Sequence, residues 1–352
     1  MARLLLLLLS LIIASTTADV NRTATVFQPN LANIACYRIP SILQIESVLI
    51  SFAEARKGSC SDNAAYAIAV RRSTDGGATW SNVSFIGSPS YMVGNPASVA
   101  LQDGRAALIF VRHGPKCTAD CGIGNGIVFS SDQGLSWSTP VDLSDDFGVA
   151  KGALPGPGTA LQSTSGRIMV ISHLGAYQND FISRSDDLGQ TFTTNKQRFP
   201  QMDEAALTQL SNGSILLNMR HRSAPQLGRG IAISHDDGAT FSAITYDAKL
   251  ISPVCQASIV SFNGSTYFSN PADIHARDKI TIRKSTDNTK TWGASLLVHA
   301  GATFGYSCLV KGELVVGQKF QGGILFESSD QTIAFARFNL SLKSEQVKIK
   351  NT

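Results

Sequence analysis

Several side chains that carry charge or move protons recur at comparable positions beside glycine turns. They are four arginines, two glutamates and a tyrosine: Arg38, Arg56, Arg220, Arg277, Glu54, Glu204 and Tyr306. Adjacent strands of a hairpin run in opposite directions, so a residue before a turn and one after the second strand lie at the same end of a sheet. We therefore expect these side chains to surround one opening. Like charges held close in a cleft repel, so the cluster favours an anionic ligand.

A repeated Ser-x-Asp-x-Gly-x-x-Trp/Phe pattern predicts the tight turns that position these residues. It occurs as STDGGATW (73–80), SSDQGLSW (130–137), SDDLGQTF (185–192) and SHDDGATF (234–241), with a fifth copy, STDNTKTW (285–292), in which Thr289 replaces the glycine. In such a turn Asp accepts hydrogen bonds from its own loop, Gly adopts a positive φ, and the aromatic ring packs between sheets. We assign these aspartates a structural role and no catalysis.

A second set of turns alternates with the first and predicts another hairpin in each repeat. These turns are Asp103-Gly104, Ser165-Gly166, Asn212-Gly213, Asn263-Gly264 and Lys311-Gly312, each flanked by apolar runs. Two hairpins per repeat give four short strands in roughly 50 residues. The sequence therefore predicts an all-β fold, a six-bladed β-propeller of four-stranded antiparallel sheets. A pair of β-sandwiches has comparable turn spacing and is the rival architecture.

The N-terminus has the pattern of a secretory signal peptide over residues 1–18. Arg3 precedes an apolar run from Leu4 to Ile13 that ends in small residues. The run is shorter than the roughly 20 apolar residues that a membrane helix needs, and no other stretch approaches that length. We therefore expect no membrane span and a single domain over residues 19–352. A net charge of +4 with scattered basic residues gives no sign of a nucleic-acid surface.

Asparagine sequons and cysteines agree with the secretory pathway and with a lysosomal or extracellular destination. The sequons are at Asn21, Asn82, Asn212, Asn263 and Asn339. Six cysteines can pair in an oxidising compartment, and the short spacing makes Cys117–Cys121 the favoured bridge. Zinc is the competing interpretation of that pair, but no second ligand pair lies at zinc spacing. We expect no metal and no cofactor. Cys308 is compatible with a disulfide or with a free thiol.

The motif YRIP at 37–40, together with the repeated aspartate turns, resembles the exo-sialidase superfamily, whose members carry an F/YRIP motif and Asp-boxes on a six-bladed propeller. Within that superfamily the chain looks most similar to the lysosomal type, because of SFAEARKGSCSDNAA at 51–65 and FSNPADIHAR at 268–277. The resemblance covers essentially all of residues 19–352. It implies removal of terminal sialic acid from glycoconjugates, and it leaves open a protective protein partner.

The resemblance also implies a role for each site residue. Arg38, Arg220 and Arg277 would clamp the sialic acid carboxylate, because guanidinium groups bind carboxylates bidentately. Asp62 would act as the general acid and base, and Arg56 would line the pocket beside the sugar.

Tyr306 corresponds to the nucleophile of the superfamily, with Glu204 as its partner and Glu327 as the residue that steadies Arg38. A neutral phenol suits an anomeric carbon that already bears a carboxylate, and sialidases are a known exception to the two-carboxylate rule of glycosidases. Retention of configuration is expected. A trans-sialidase and a non-catalytic sialic-acid-binding propeller are the alternative functions.

Overall fold

The computed structural model describes residues 16–87, 91–114, 122–148, 152–174, 179–222, 225–312 and 320–342. Almost all regular elements in these ranges are β-strands, and the strands form six sheets that follow one another along the chain. The inner strands of successive sheets contact one another in a closed ring. The six-bladed β-propeller predicted from the turns is therefore confirmed, and the rival pair of β-sandwiches is wrong.

The first three blades follow an N-terminal strand, β1 (Thr16–Phe27). The first blade consists of β2 (Cys36–Ile45), β3 (Val48–Arg56), β4 (Ala65–Ser73) and β5 (Ser84–Ile86). The second consists of β6 (Met92–Ala100), β7 (Ala106–His113), β8 (Gly122–Ser130) and β9 (Val141–Asp142). The third consists of β10 (Leu154–Pro155), β12 (Leu161–Gln162), β13 (Ile168–Leu174), β14 (Asn179–Ser185), β15 (Thr193–Thr194) and β16 (Phe199–Pro200), and β11 (Gly158–Thr159) lies between β10 and β12 in the chain.

The last three blades repeat the four-stranded plan. The fourth consists of β17 (Met202–Gln209), β18 (Ile215–His221), β19 (Arg229–Ser234) and β20 (Thr245–Asp247). The fifth consists of β21 (Ser258–Phe262), β22 (Ser265–Pro271), β23 (Ile280–Ser285) and β24 (Ala294–His299). The sixth contains β25 (Ser307–Lys311), β26 (Gly322–Glu327) and β27 (Ile333–Leu342). Short helical turns are α1 (Ser144–Phe147) and the 3₁₀ segments Leu31–Asn33, Asp62–Ala64 and Pro225–Leu227.

The ring is closed by the N-terminal strand. β1 pairs antiparallel with β27 and so supplies the outer strand of the sixth blade, with Asn21 opposite Arg337. Strand pairing between the two ends of the chain leaves no gap between the first and last blades. Between blades, apolar side chains of facing sheets form the core, as where Phe52 packs with Leu108 and Phe110.

Two blades depart from the predicted four-stranded antiparallel plan. The inner strand of the third blade is interrupted, since β10 and β12 both pair with β13. The intervening β11 pairs instead with β6 of the second blade, in parallel. Pro157 immediately before β11 has no N–H to donate, so a regular inner ladder cannot pass through it. The segment lies at the centre of the ring, where Ser41 Oγ donates to Gly158 O and Gln256 Nε2 donates to Pro157 O.

The repeated aspartate turns join the third and fourth strands of blades and make their hydrogen bonds internally. In the first copy, Asp75 Oδ1 accepts from Thr79 N at 2.9 Å and Ser73 Oγ accepts from Gly77 N at 2.8 Å. The fifth copy keeps the turn, with Thr289 at a φ of 67°. These turns lie at the opposite end of the blade from Arg56, because Ser73 is paired with Leu49. Their aspartates therefore serve the turn.

The structure contains a disulfide that was not singled out from the sequence. A disulfide joins Cys36 and Cys60, and Cys255 and Cys308 are free and buried. The favoured bridge, Cys117–Cys121, lies outside the described residues. Most of the predicted signal peptide over residues 1–18 also lies outside them, and it stays a prediction. Within the described ranges, no helix has the length and apolar character of a membrane span.

Candidate active site

β-bulges on the inner strands turn side chains towards one mouth of the ring. In β2 the register shifts between Arg38 and Ser41, and in β17 it shifts between Asp203 and Ala205, which leaves Glu204 as the extra residue. A bulge bends its strand and redirects the side chain that it carries. In a regular strand, successive side chains point to opposite faces. The bulges break this alternation beside Arg38 and at Glu204, and so change the direction of these side chains.

Glu327 links the first blade to the last at this mouth. Its carboxylate accepts from Arg38 Nε at 2.6 Å, and it also accepts the backbone N–H of Ile39 at 3.1 Å and of Tyr306 at 2.9 Å. Arg38 and Glu327 are both buried. Burial disfavours the charge of Arg38, but the adjacent Glu327 outweighs this effect and the pKa of the guanidinium is raised. Arg38 is therefore a fixed cation.

Tyr306, Glu204 and Arg220 form a buried hydrogen-bonded chain. The Tyr306 hydroxyl donates to Glu204 Oε1, and Arg220 Nη1 donates to Glu204 Oε2 at 2.5 Å. All three residues have a relative exposure of 7%. Burial, followed by the negative charge of Glu204, holds the pKa of the Tyr306 phenol well above its usual value. The phenol is thus neutral at rest, with a carboxylate already in place to take its proton.

Asp62 is held between two arginines and opens to solvent. Its Oδ1 accepts from Arg56 Nη1 at 2.8 Å and lies 3.8 Å from Arg38 Nη1, while its side chain is 88% exposed. Arg56 is itself buried and is fixed by Glu54, which accepts from its Nε at 3.0 Å and its Nη2 at 2.6 Å. The arrangement offers a carboxylate that can exchange protons with a ligand and with water.

Arg277 completes the arginine cluster from the fifth blade. It is only partly buried, and its guanidinium donates to the carbonyls of Phe304 at 3.1 Å and Val254 at 3.4 Å. Its guanidinium carbon lies 6.0 Å from the Tyr306 ring centroid, and that of Arg38 lies 5.2 Å from the same point. Arg38, Arg220 and Arg277 therefore converge on the Tyr306–Glu204 pair.

The structure brings together all eight residues that the sequence singles out for chemistry or binding. They form one contact network: Arg38, Arg56, Asp62, Glu204, Arg220, Arg277, Tyr306 and Glu327. Asn95 adjoins this network, since its backbone N–H donates to Glu54 Oε1 at 2.7 Å. The individual chemical roles of these residues stay predictions.

A second layer behind Glu204 was not predicted. Asp203 Oδ1 accepts the backbone N–H of Glu204 at 2.7 Å and lies 3.1 Å from His173 Nε2. His173 is buried in that pair. Adjacency to Glu204 is the signal that could have pointed to Asp203.

Arg229 lies in the same layer, and no sequence signal marks it. It is fully buried, and it donates to Asn218 Oδ1 at 2.7 Å and to the Cys255 carbonyl at 2.8 Å. Burial, and then the charge of Arg220, lower its pKa to about 9. Arg229 thus adds one buried cation behind Glu204.

The network can do three things chemically. Three guanidinium groups can clamp a carboxylate, a phenol paired with a carboxylate can attack an electrophilic carbon, and an exposed carboxylate can transfer protons. A family model described as a BNR repeat-like domain matches residues 47–316. The chain belongs to the BNR repeat-like family. The repeated turns and the propeller of this BNR-repeat protein agree with that assignment.

Known relatives of this BNR-repeat protein carry sialidase names. It is 30% identical over 342 residues to a sialidase of Micromonospora viridifaciens, covering 87% of this chain and 52% of the relative. It is 26% identical over 350 residues to a sialidase of Bacteroides fragilis, covering 88% and 63%. A solved structure, the Hadza microbial sialidase Hz136, superposes with a TM-score of 0.79 at 25% identity, covering 90% of this chain and 68% of that one. The chain thus spans between half and two thirds of the length of these two curated relatives.

Proposed function

We propose that this BNR-repeat protein is an exo-α-sialidase that hydrolyses terminal sialic acid from glycoproteins, glycolipids or oligosaccharides. The observation that carries the proposal is the buried Tyr306–Glu204 pair, on which Arg38, Arg220 and Arg277 converge. Three guanidinium groups held close together repel one another. The carboxylate of a bound sialic acid offsets this repulsion, whereas a neutral sugar does not. Relatives named as sialidases support the same substrate class.

The first half of the reaction would form a covalent glycosyl-enzyme. The Tyr306 oxygen attacks the anomeric carbon while Glu204 takes the phenolic proton, and the bond from that carbon to the leaving oxygen breaks. Asp62 in its protonated form donates its proton to the leaving oxygen. A carboxylate nucleophile would approach against the charge of the substrate, whereas the phenol is neutral until its proton leaves.

In the second half, water would replace the tyrosine. Asp62, now ionised, takes a proton from water as the water oxygen bonds to the anomeric carbon. The bond to Tyr306 breaks, and Glu204 returns the proton to the phenolate. Two displacements at one carbon retain its configuration, so the α-anomer of sialic acid is the expected first product.

The test is turnover of a fluorogenic sialoside by the wild-type protein and by Tyr306→Phe. The variant should lose most turnover and keep its affinity for sialic acid, because the ring packing is preserved while the nucleophilic oxygen is removed. Proton NMR of the fresh product should show the α-anomer. Normal turnover by Tyr306→Phe, or a β-anomer as the first product, would contradict the nucleophile assignment.

Two other functions share the same site and are separated by the same assay. A trans-sialidase would convert added lactose into sialyllactose, and a sialic-acid-binding propeller would bind the sugar without releasing it. The retention of Asp62, Glu204 and Tyr306 in one contact network supports hydrolysis over binding alone.

We further propose a lysosomal-type sialidase that enters the secretory pathway behind a cleaved signal peptide and works in a lysosomal or extracellular compartment. The motifs that support the lysosomal type contribute Asp62 and Arg277 to the site. The Cys36–Cys60 disulfide supports an oxidising compartment on the route. Glycan removal from the secreted protein with an N-glycosidase should lower its apparent mass if the sequons are used, and an unchanged mass would count against this route.

A further inference from the structure

The loop that carries Asp62 projects from the first blade with little packing to hold it. Residues 57–63 are exposed except for Cys60, which is half-buried. The loop leaves the sheet after Arg56 and returns at Ala65. Its own backbone hydrogen bonds run from Lys57 N to Ala64 O at 3.0 Å and from Ala64 N to Ser61 O at 2.9 Å. These bonds close the base of the loop and leave its tip undetermined.

Ion pairs alone do not position Asp62. Its contacts to Arg56 and Arg38 are made by a side chain that is 88% exposed. Ion pairs of an exposed carboxylate usually contribute little stability, because water and salt screen them. A general acid must lie within hydrogen-bond reach of the leaving oxygen, so a group at the end of a loose loop would transfer its proton poorly.

The Cys36–Cys60 disulfide supplies the missing constraint. Cys60 is two residues before Asp62, and Cys36 is two residues before Arg38 on the buried inner strand β2. The Cys60 carbonyl also accepts from Arg56 Nη1 at 2.6 Å, the nitrogen that contacts Asp62. The bond thus ties the tip of the loop to the strand that carries an arginine of the carboxylate clamp.

The Cys36–Cys60 disulfide is not required to hold β2 against β3. β2 and β3 are paired from Cys36 opposite Arg56 down to Ile45 opposite Val48, so ladder hydrogen bonds already hold the two strands together. What the disulfide adds lies beyond Arg56, in the loop. We infer that the Cys36–Cys60 disulfide positions Asp62 for proton transfer, so that breaking it impairs leaving-group protonation while substrate binding persists. This inference rests on the proposed role of Asp62.

The leaving group distinguishes this role from general support of the fold. A sugar alkoxide, as in sialyllactose, needs a proton to depart, whereas the phenolate of an aryl sialoside departs with little help. The ratio kcat/KM reports the steps up to formation of the glycosyl-enzyme, where the acid acts. For the double variant Cys36→Ser/Cys60→Ser we expect kcat/KM to fall about 10–100-fold on sialyllactose and less than about threefold on a nitrophenyl sialoside.

Matched measurements make the outcome decisive. Asp62→Asn should also lose more kcat/KM on sialyllactose than on the nitrophenyl sialoside. Cys308→Ala, which removes a free buried thiol, should leave kcat/KM unchanged on both substrates. Wild-type protein treated with dithiothreitol, with its fold monitored by near-UV circular dichroism, should reproduce the double variant without any substitution. Dithiothreitol should have no effect on the double variant itself.

Several results would overturn the inference. An equal loss on both substrates, in the double variant or in reduced wild-type protein, would show that the bond supports the whole site. No loss on sialyllactose would show that Asp62 is positioned without the bond. Absence of turnover by oxidised wild-type protein on either substrate would instead refute the proposed function, so the two failures are distinguishable.

Discussion

Replacing Glu204 with glutamine tests the proton acceptor of the site with almost no change in shape. The wild-type carboxylate accepts the Tyr306 hydroxyl through Oε1 and Arg220 through Oε2. Glutamine keeps one acceptor oxygen, presents an NH₂ donor in place of the other, and does not act as a base. The perturbation therefore removes the base and the negative charge, and leaves the cavity filled.

The expected loss follows from these contacts. A well-placed general base contributes about 10²–10⁴-fold to rate, so kcat of Glu204→Gln should fall by that factor, or about 3–5 kcal/mol of activation free energy. Arg220, buried beside it, loses its anion, so stability should fall by about 1–3 kcal/mol. A small decrease in Tm should therefore accompany a large decrease in kcat.

The pH dependence identifies the cause of the loss. Burial and the charge of Glu204 raise the pKa of Tyr306, so the substitution lowers that pKa while burial still holds it above the ordinary value. Without a base, attack requires phenolate formed by loss of a proton to solvent, and kcat should rise with pH below the new pKa. The wild-type rate should not rise in this way, because Glu204 takes the proton directly.

The assay is kcat on a fluorogenic sialoside between about pH 4 and 9, with Glu46→Gln as the matched control. Glu46 is an exposed glutamate at the turn between β2 and β3, remote from the mouth. The control should behave as wild type. A Glu204→Gln enzyme with wild-type kcat, or with a loss that is constant across pH, would refute the assignment of Glu204 as the base.

Three further predictions concern Arg277 of the carboxylate clamp, Glu327 that holds Arg38, and Thr289 in the fifth aspartate turn. Arg277→Lys should raise KM for sialyllactose about tenfold with Tm unchanged, since the fork geometry is lost at a partly exposed site; an unchanged KM would count against the clamp. Glu327→Gln should lower the free energy of unfolding by about 3–5 kcal/mol in urea titrations, because buried Arg38 loses its partner, and wild-type stability would contradict this. Thr289→Gly should raise stability by about 0.5–1 kcal/mol by relieving a left-handed backbone, and a lower Tm would refute that reason.

The blade architecture could be predicted because its determinants are local. Each glycine turn and each aspartate turn fixes a hairpin from residues a few positions apart, and the order of hairpins fixes the strand order of a blade. The closure of the ring could not be predicted in this way. Pairing of β1 with β27 is a contact between distant segments, and no turn encodes it.

The same distinction applies to the site. Arg38, Glu204 and Tyr306 could be placed at one mouth because each lies a short distance from a turn or at the start of an inner strand. Glu327 could not, because β26 begins only at Gly322, well beyond the Lys311-Gly312 turn. Its assignment came from the resemblance, and its contact with Arg38 is seen only in three dimensions.

The Cys36–Cys60 disulfide could not be predicted from spacing along the sequence. A short interval favours Cys117–Cys121, which lies outside the described residues and stays a prediction, and it gives no reason to pair two cysteines that are 24 residues apart. A positional signal was available: Cys36 lies shortly before Arg38 and Cys60 shortly before Asp62, and the resemblance assigns both Arg38 and Asp62 to the site. Strand pairing places Cys36 opposite Arg56, and the loop after Arg56 brings Cys60 back to Cys36, so the bond depends on the path of that loop rather than on the sequence interval.

The most direct test of the account is identification of the residue that bonds to the sugar. The protein would be incubated with 2,3-difluorosialic acid, whose second fluorine slows departure from the enzyme, then digested and analysed by mass spectrometry. Because attack expels the C2 fluoride and keeps the C3 fluorine, we expect one added 3-fluorosialosyl mass on the peptide that contains Tyr306, and none in Tyr306→Phe. An adduct on Asp62 or Glu204, or turnover with no adduct on Tyr306, would contradict it.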